Sequence, residues 1–441
     1  MKLVVDGKEP LVGNIKTSGS RNTALKLLVA SLFSNEDVTL ENIPNVGIVL
    51  SDIEILKGIG VGVTWISQNK VLINASSISS YELPYDLSSK SRTSALLAGP
   101  LLYRFGKALI PKFKSTFGAR PVNRWVSSWE ALGFEVKEDN NYYFLESKKL
   151  LNVSMSFKTS TVMGTENALL SSVFVPGETY INNAASEPEI DDLILFLNSM
   201  GADVKRVEER KIVVNGTQTF KGTKHRIMPD RSEAVTFAIA SLVTYGDIKI
   251  EDVVSSDLLS FIRKLEAMGA SFEFKGKELR IWRRKDQALN AVDVETAPAP
   301  GFMTEWQAPF AVLLTQTKGA GIIHDTIYTD RFSYVRELNR MGAKISLLKP
   351  SEVGLAAVIS DDSYDVNVKG EPYTVARVEG PTQLRKEKLF ISDLRDGAAL
   401  ILAALASEGR SEIYGYEHIA SSFEKFDEKL LSLGAKISIV P

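Results

Sequence analysis

Arg231-Ser-Glu-Ala-Val-Thr-Phe-Ala-Ile-Ala-Ser-Leu-Val243, then Asp247-Ile-Lys-Ile-Glu251, then a segment closing on Met268-Gly269-Ala270: this stretch decides the fold. The first part is apolar nearly all round, as a helix buried inside a domain must be. The second alternates like a short strand. The third is an amphipathic helix stopped by a glycine, in the place where a left-handed cap is cheap only for Gly. A strand pair follows, so the unit reads helix, strand, helix, strand pair, with crossovers that favour parallel pairing.

The unit recurs at intervals of roughly 70 residues. Asn22 to Phe33 opens one copy, after Arg21, and Leu56-Lys57-Gly58-Ile59-Gly60 closes its second helix. Arg92, Glu166, Glu305 and Arg395 open others, which close on Leu132-Gly133, Met200-Gly201-Ala202, Met341-Gly342-Ala343 and Leu433-Gly434-Ala435. Six units could stack as an open solenoid. The chain, however, starts with two strands that lack a helix, Lys2 to Val5 and Gly13 to Thr17, and shows no polar capping repeat. Two closed groups of three fit better. The expected first domain is 20–228 and the second is 1–19 with 229–441, with the active-site cleft between them.

Composition narrows the function classes. The 441 residues are 44% hydrophobic and carry a net charge of −2, so cationic sites must be local, and neither nucleic acid nor membrane is an expected partner. No cysteine occurs, which excludes disulfides, thiolate metal sites and cysteine nucleophiles. The three histidines, His225, His324 and His418, are too scattered for a metal site. No signal-peptide core or membrane-length apolar run is present, and the expected location is the cytoplasm.

Four of the apolar helices begin at an arginine: Arg21, Arg92, Arg231 and Arg395. A cation at a helix N-terminus opposes the helix dipole, at about 0.3–1 kcal/mol each, so several together suggest ends turned toward a common anion. Pairing of some of them with the neighbouring Glu233 and Asp396 is the plainer alternative. Lys112 to Trp125, Lys-Phe-Lys-Ser-Thr-Phe-Gly-Ala-Arg-Pro-Val-Asn-Arg-Trp, adds a basic, glycine-hinged loop that opens a helix, either an anion clamp or a solvated surface loop.

Several segments resemble the enolpyruvyl transferase family: Ser18-Gly19-Ser20-Arg21-Asn22-Thr23-Ala24-Leu25, Phe117-Gly118-Ala119-Arg120-Pro121-Val122, Asn183 to Ile190 and Met228-Pro229-Asp230-Arg231. Thr296-Ala297-Pro298, Thr304 to Ala308, Asp330-Arg331-Phe332 and Ser392 to Arg395 extend the match over nearly the whole chain. Gly118 to Pro121 and Pro229 to Arg231 favour the nucleotide-sugar branch over the shikimate branch. The resemblance implies two inside-out α/β barrel domains, each of three βαβαββ units. It also implies transfer of the enolpyruvyl group of phosphoenolpyruvate to a hydroxyl of a uridine nucleotide or nucleotide sugar. The hydroxyl attacks C2 while C3 takes a proton, and the tetrahedral ketal then loses phosphate. No cofactor or metal is implied, and a monomer or weak oligomer is expected.

On the same resemblance, Arg21, Ser115 and Glu305 stand at catalytic positions. Asn22, Arg92, Arg120, Pro121, Val122, Asn123, Gly164, Arg331 and Arg395 stand at substrate-binding ones. The chain departs from the family where it matters. Arg21 replaces Lys, Ser115 replaces the usual Cys or Asp acid, and Glu305 replaces Asp. Ser160 stands where a phosphate-binding Lys is usual, Asn123 where Asp recognises uracil, and Ser421 where Arg binds phosphoenolpyruvate. Lys112, Lys114 and Arg124 are candidate compensating cations. The expectation is a divergent paralogue with an altered acceptor. The alternatives are the orthodox enzyme of peptidoglycan-precursor synthesis and an inactive nucleotide- or phosphate-binding relative.

Overall fold

The computed structural model describes residues 1–114, 123–358, 360, 364–391 and 394–440, and the side chains of all of these except 123, 394 and 395. They divide into two compact units, Met1–Ser18 with Pro229–Pro441, and Gly19–Met228. Each has its own continuous apolar core.

The apolar helices lie at the centre of their units. In the larger unit, Arg231–Val243, Gln307–Leu314 and Leu394–Ala406 pack on one another. In the Gly19–Met228 unit the corresponding elements are Arg21–Ala30, the 3-10 turn Arg92–Leu97 running into Ala98–Phe105, and Val162–Ser172. Thr23 to Ala30 are all buried, which an all-round apolar pattern requires. Sheets lie outside these helices, the inside-out arrangement that the resemblance implies. The recurring glycines Gly60, Gly133, Gly201, Gly269, Gly342 and Gly434 adopt positive φ between 77° and 104°, where an L side chain is strained.

Parallel pairing occurs where the crossovers favour it, beside antiparallel closing pairs. Among the described residues there are five four-stranded sheets and one three-stranded sheet, and each four-stranded sheet has a single parallel pair. Ser154–Ser156 and Glu178–Asn182, for example, run parallel on either side of the Val162–Ser172 crossover. Four of the closing strand pairs are hairpins, which can only pair antiparallel, and Lys344–Leu348 pairs antiparallel with Val375–Gly380 across a longer connection. The two N-terminal strands go to different sheets. Lys2–Asp6 lies antiparallel between Arg410–Tyr414 and Lys436–Val440, while Val12–Lys16 runs parallel to Asp247–Glu251. Lys224–Arg226 correspondingly stays with the Gly19–Met228 unit, parallel to Val38–Glu41.

Some helix starts also differ from the sequence reading. The helix assigned to start at Glu166 starts at Val162, because Thr161 caps it by accepting a hydrogen bond from Gly164 N–H at 3.3 Å. Glu166 is therefore a buried interior residue. Arg92 opens a 3-10 turn, and Glu305 lies in another, Thr304–Trp306.

Candidate functional site

Those of the residues singled out from sequence that are described are divided between the two units. In the Gly19–Met228 unit, Arg21 and Asn22 occupy the first turn of their helix, half-buried, below the Ser20 cap. Ser20 Oγ accepts from Thr23 N–H at 3.2 Å and from Thr23 Oγ1 at 3.1 Å. Arg92 lies over the Trp125 ring, 5.2 Å from its centroid. Gly164 is buried, and a Cβ there would come within 2.3 Å of Thr161 Cγ2, so the capped turn itself requires glycine.

Beneath these ends lies a charge network that sequence reasoning missed. Lys26, 7% exposed, approaches Glu166, 1% exposed, with Nζ–Oε1 at 3.7 Å. Burial pushes the Glu166 carboxyl up to about 7, and the neighbouring Glu189 and Glu187 add to the rise while Lys26 opposes it. Asp52 is buried as well and accepts from Ser91 Oγ at 2.7 Å. Burial raises its carboxyl to about 6, against the pull of Ser91, Lys26 and Thr93. A lysine inside the run Ala24 to Ala30 was the available signal: an ionisable group on an otherwise apolar buried helix needs a partner.

In the other unit, Asp325 organises the cluster. Its carboxylate accepts from Thr296 Oγ1 at 3.0 Å, Thr304 Oγ1 at 2.6 Å, and the backbone N–H groups of Ile327 and Tyr328 at 2.9 and 3.1 Å. Burial raises its pKa, while these hydrogen bonds and the charge of Arg331 oppose the rise. The segment bearing Glu305 is thereby tied to the loop bearing Arg331. Arg331 is 6% exposed, its guanidinium carbon lies 3.7 Å from the Tyr328 ring centroid, and its Nη1 has no hydrogen-bond partner. Gln307 Nε2 donates to the Arg331 carbonyl at 2.9 Å, and Tyr334 Oη donates to Gln307 Oε1 at 2.7 Å. The result is a fixed, dehydrated cation on a loop tied through Asp325 to the segment that carries the half-buried Glu305, and an unpartnered buried guanidinium N–H is suited to binding an anion.

Ser115, Arg120, Pro121 and Val122 lie outside the described residues, as do the side chains of Asn123 and Arg395. At Ser160 a cation arrives from elsewhere: Arg210 Nη1 donates to Ser160 Oγ at 2.9 Å. Lys112 is bound to Glu138 at 2.7 Å, and Lys114 lies over the Tyr85 ring. Ser421 caps a short helix, donating to the His418 carbonyl at 2.9 Å. Among the described residues no helix is long and apolar enough to cross a membrane, and no three His, Cys, Asp or Glu side chains are grouped as metal ligands.

Comparison with known proteins defines the class. Residues 5–430 match the family model of EPSP synthase (3-phosphoshikimate 1-carboxyvinyltransferase), and the chain belongs to this family of enolpyruvyl transferases. Within it, the chain is 35% identical over 440 residues to UDP-N-acetylglucosamine 1-carboxyvinyltransferase 2 of Carboxydothermus hydrogenoformans, covering 100% of this chain and 99% of that one. It is 36% identical over 437 residues to UDP-N-acetylglucosamine 1-carboxyvinyltransferase 1 of Caldanaerobacter subterraneus subsp. tengcongensis, covering 99% of each. The fold is similar to that of the enolpyruvyl transferase NikO from Streptomyces tendae, with a TM-score of 0.85 at 21% identity over 99% of this chain and 98% of that one.

Proposed function

We propose that the protein transfers the enolpyruvyl group of phosphoenolpyruvate to a hydroxyl of a uridine nucleotide or nucleotide sugar, releasing inorganic phosphate. The observation that carries this reading is the full-length similarity to UDP-N-acetylglucosamine 1-carboxyvinyltransferases, and it is supported by Asp325, which ties the segment bearing Glu305 to the loop bearing Arg331. In this reading Glu305 takes the acceptor proton. Arg331, with a buried and unpartnered Nη1, neutralises an anionic group of the substrate. Asn22 and Arg92 hold substrate from their helix ends, and Arg21 supplies charge in place of a lysine. Ser115 serves the loop rather than the proton transfer, because an alkyl hydroxyl is a poor acid near neutral pH.

The Arg210–Ser160 contact favours an altered acceptor. A planar guanidinium held by a hydroxyl offers different donors from a free lysine ammonium. The test is phosphate release from phosphoenolpyruvate with UDP-N-acetylglucosamine and with simpler uridine nucleotides in turn. Acceptor-dependent release is expected, and nucleotide binding without release would instead favour the inactive relative.

A further inference from the structure

Lys26 stands four residues after Asn22, on the same face of its helix, and helical side chains lean back toward the N-terminus. Its Nζ therefore lies beneath the turn that carries Arg21 and Asn22. Glu166 has the same relation to the Thr161–Gly164 turn of the Val162–Ser172 helix. Asp52, on the Gly47–Gly58 helix, binds Ser91, the residue directly before Arg92. A single buried ammonium thus faces two carboxylates, and these are fastened to the segments bearing Arg21, Asn22, Arg92 and Gly164.

The arrangement is not the cheapest way to fill a core. Buried ion pairs seldom gain over well-packed apolar residues of the same size. This one is loose at 3.7 Å and leaves Glu166 Oε2 without a partner. Both flanking helices already pack on the Arg92–Leu97 turn and on Pro188–Ser199, so the charges are not needed to hold them in the unit. What the ammonium adds is a directional tie between the N-terminal ends.

We propose that Lys26 and Glu166 are positioning residues for the transfer reaction, setting the first turns of the Arg21–Ala30 and Val162–Ser172 helices in register for substrate. The role rests on the transferase reading above. Glu166 is faced by Lys26 from the Arg21–Ala30 helix and by Glu189 and Glu187 from the Pro188–Ser199 helix and its cap, while Asp52 faces Lys26 from the Gly47–Gly58 helix. The tie exists only while Glu166 is ionised, so it loosens as pH falls through the window in which that carboxyl takes up a proton.

The test compares wild type, Glu166→Gln, Lys26→Met and Lys26→Arg. At pH 8 the KM for acceptor in Glu166→Gln is expected to exceed the wild-type value by about tenfold or more, with kcat little changed. The two KM values are expected to converge at pH 5.5, a comparison in which ionisation of the substrate cancels. Lys26→Met should reproduce the high KM at every pH, and Lys26→Arg should restore the low one. A KM ratio between wild type and Glu166→Gln that stays constant with pH overturns the proposal; should Lys26→Met fail to fold, this comparison still decides. Amide exchange over 21–25 and 162–166 supplies a readout independent of turnover. Exchange should quicken at both turns in Glu166→Gln at pH 8 and stay unchanged in the Arg231–Val243 helix, and equal exchange in both proteins overturns the tie. If wild type releases no phosphate with any acceptor, the transferase reading falls and the exchange data alone decide whether the tie exists.

Discussion

Glu233 and Glu166 are glutamates of 1% exposure, each inside a central helix and one in each unit, yet their carboxylates are held differently. Glu233 Oε2 accepts from Ser18 N–H at 2.7 Å and Oε1 accepts from Lys429 Nζ, which also donates to Ser18 Oγ at 2.8 Å. Both oxygens are satisfied where the chain leaves one unit for the other. Glu166 has one distant ammonium and an unpartnered oxygen. Burial raises the pKa of both, but Lys429 and the Ser18 N–H oppose it at Glu233, whereas Glu189 and Glu187 reinforce it at Glu166. A satisfied buried charge works as a structural joint, whereas a half-satisfied one stays responsive to protons.

The sharpest way to break this contrast is Glu233→Ala, which strands a half-buried lysine and an amide. It should cost about 3–5 kcal/mol in denaturant unfolding, because the partner charge stays behind uncompensated. A loss below about 1 kcal/mol would place Glu233 with ordinary surface pairs.

Next in size is the pH response of Glu166. Its folded-state pKa lies above a glutamate's ordinary 4.5, so the folded protein binds the extra proton and this contribution to stability is fully present below about pH 4.5. It is lost as pH rises toward 7, by at most about 3 kcal/mol. Glu166→Gln should flatten that part of the curve of unfolding midpoint against pH, and an unaltered curve would contradict the assignment.

Arg331→Met separates function from stability. Removing a guanidinium whose Nη1 has no partner should lower kcat/KM roughly 10- to 100-fold. The unfolding midpoint should hold or rise, since an unpartnered buried donor is removed with the charge. Equal loss of activity and stability would make Arg331 a structural residue.

Ser20→Ala gives the smallest effect, about 1 kcal/mol for losing a helix cap. Asp230→Ala should cost somewhat more, because Asp230 caps both Ser232 and Glu233 N–H, at 2.8 and 3.2 Å.

These contrasts also mark where sequence reading stopped. The central helices were legible because an all-round apolar run has one physical solution, and the cap glycines because positive φ has one cheap residue. The start of the Val162–Ser172 helix was hidden by Thr165-Glu166-Asn167, a polar triplet that interrupts the apolar pattern although all three residues are buried. The crossover strands pair parallel as their connections imply, while the antiparallel pairing of the closing strands follows from the short turns between them. The candidate residues came from family resemblance, but Lys26, Asp52, Glu166, Asp325 and Arg210 did not. Each of these matters through partners distant in the chain, as Arg210 does with Ser160, and neither spacing nor periodicity encodes such contacts.

The most direct test of the account is inorganic phosphate release when phosphoenolpyruvate is mixed with the protein and a uridine nucleotide or UDP-N-acetylglucosamine. Phosphate should appear only when an acceptor is present, with an enolpyruvyl ether as co-product, and Glu305→Gln should lower the rate by roughly 10²–10⁴. Nucleotide binding with no phosphate released would contradict the central claim and leave a protein that kept the fold without the reaction.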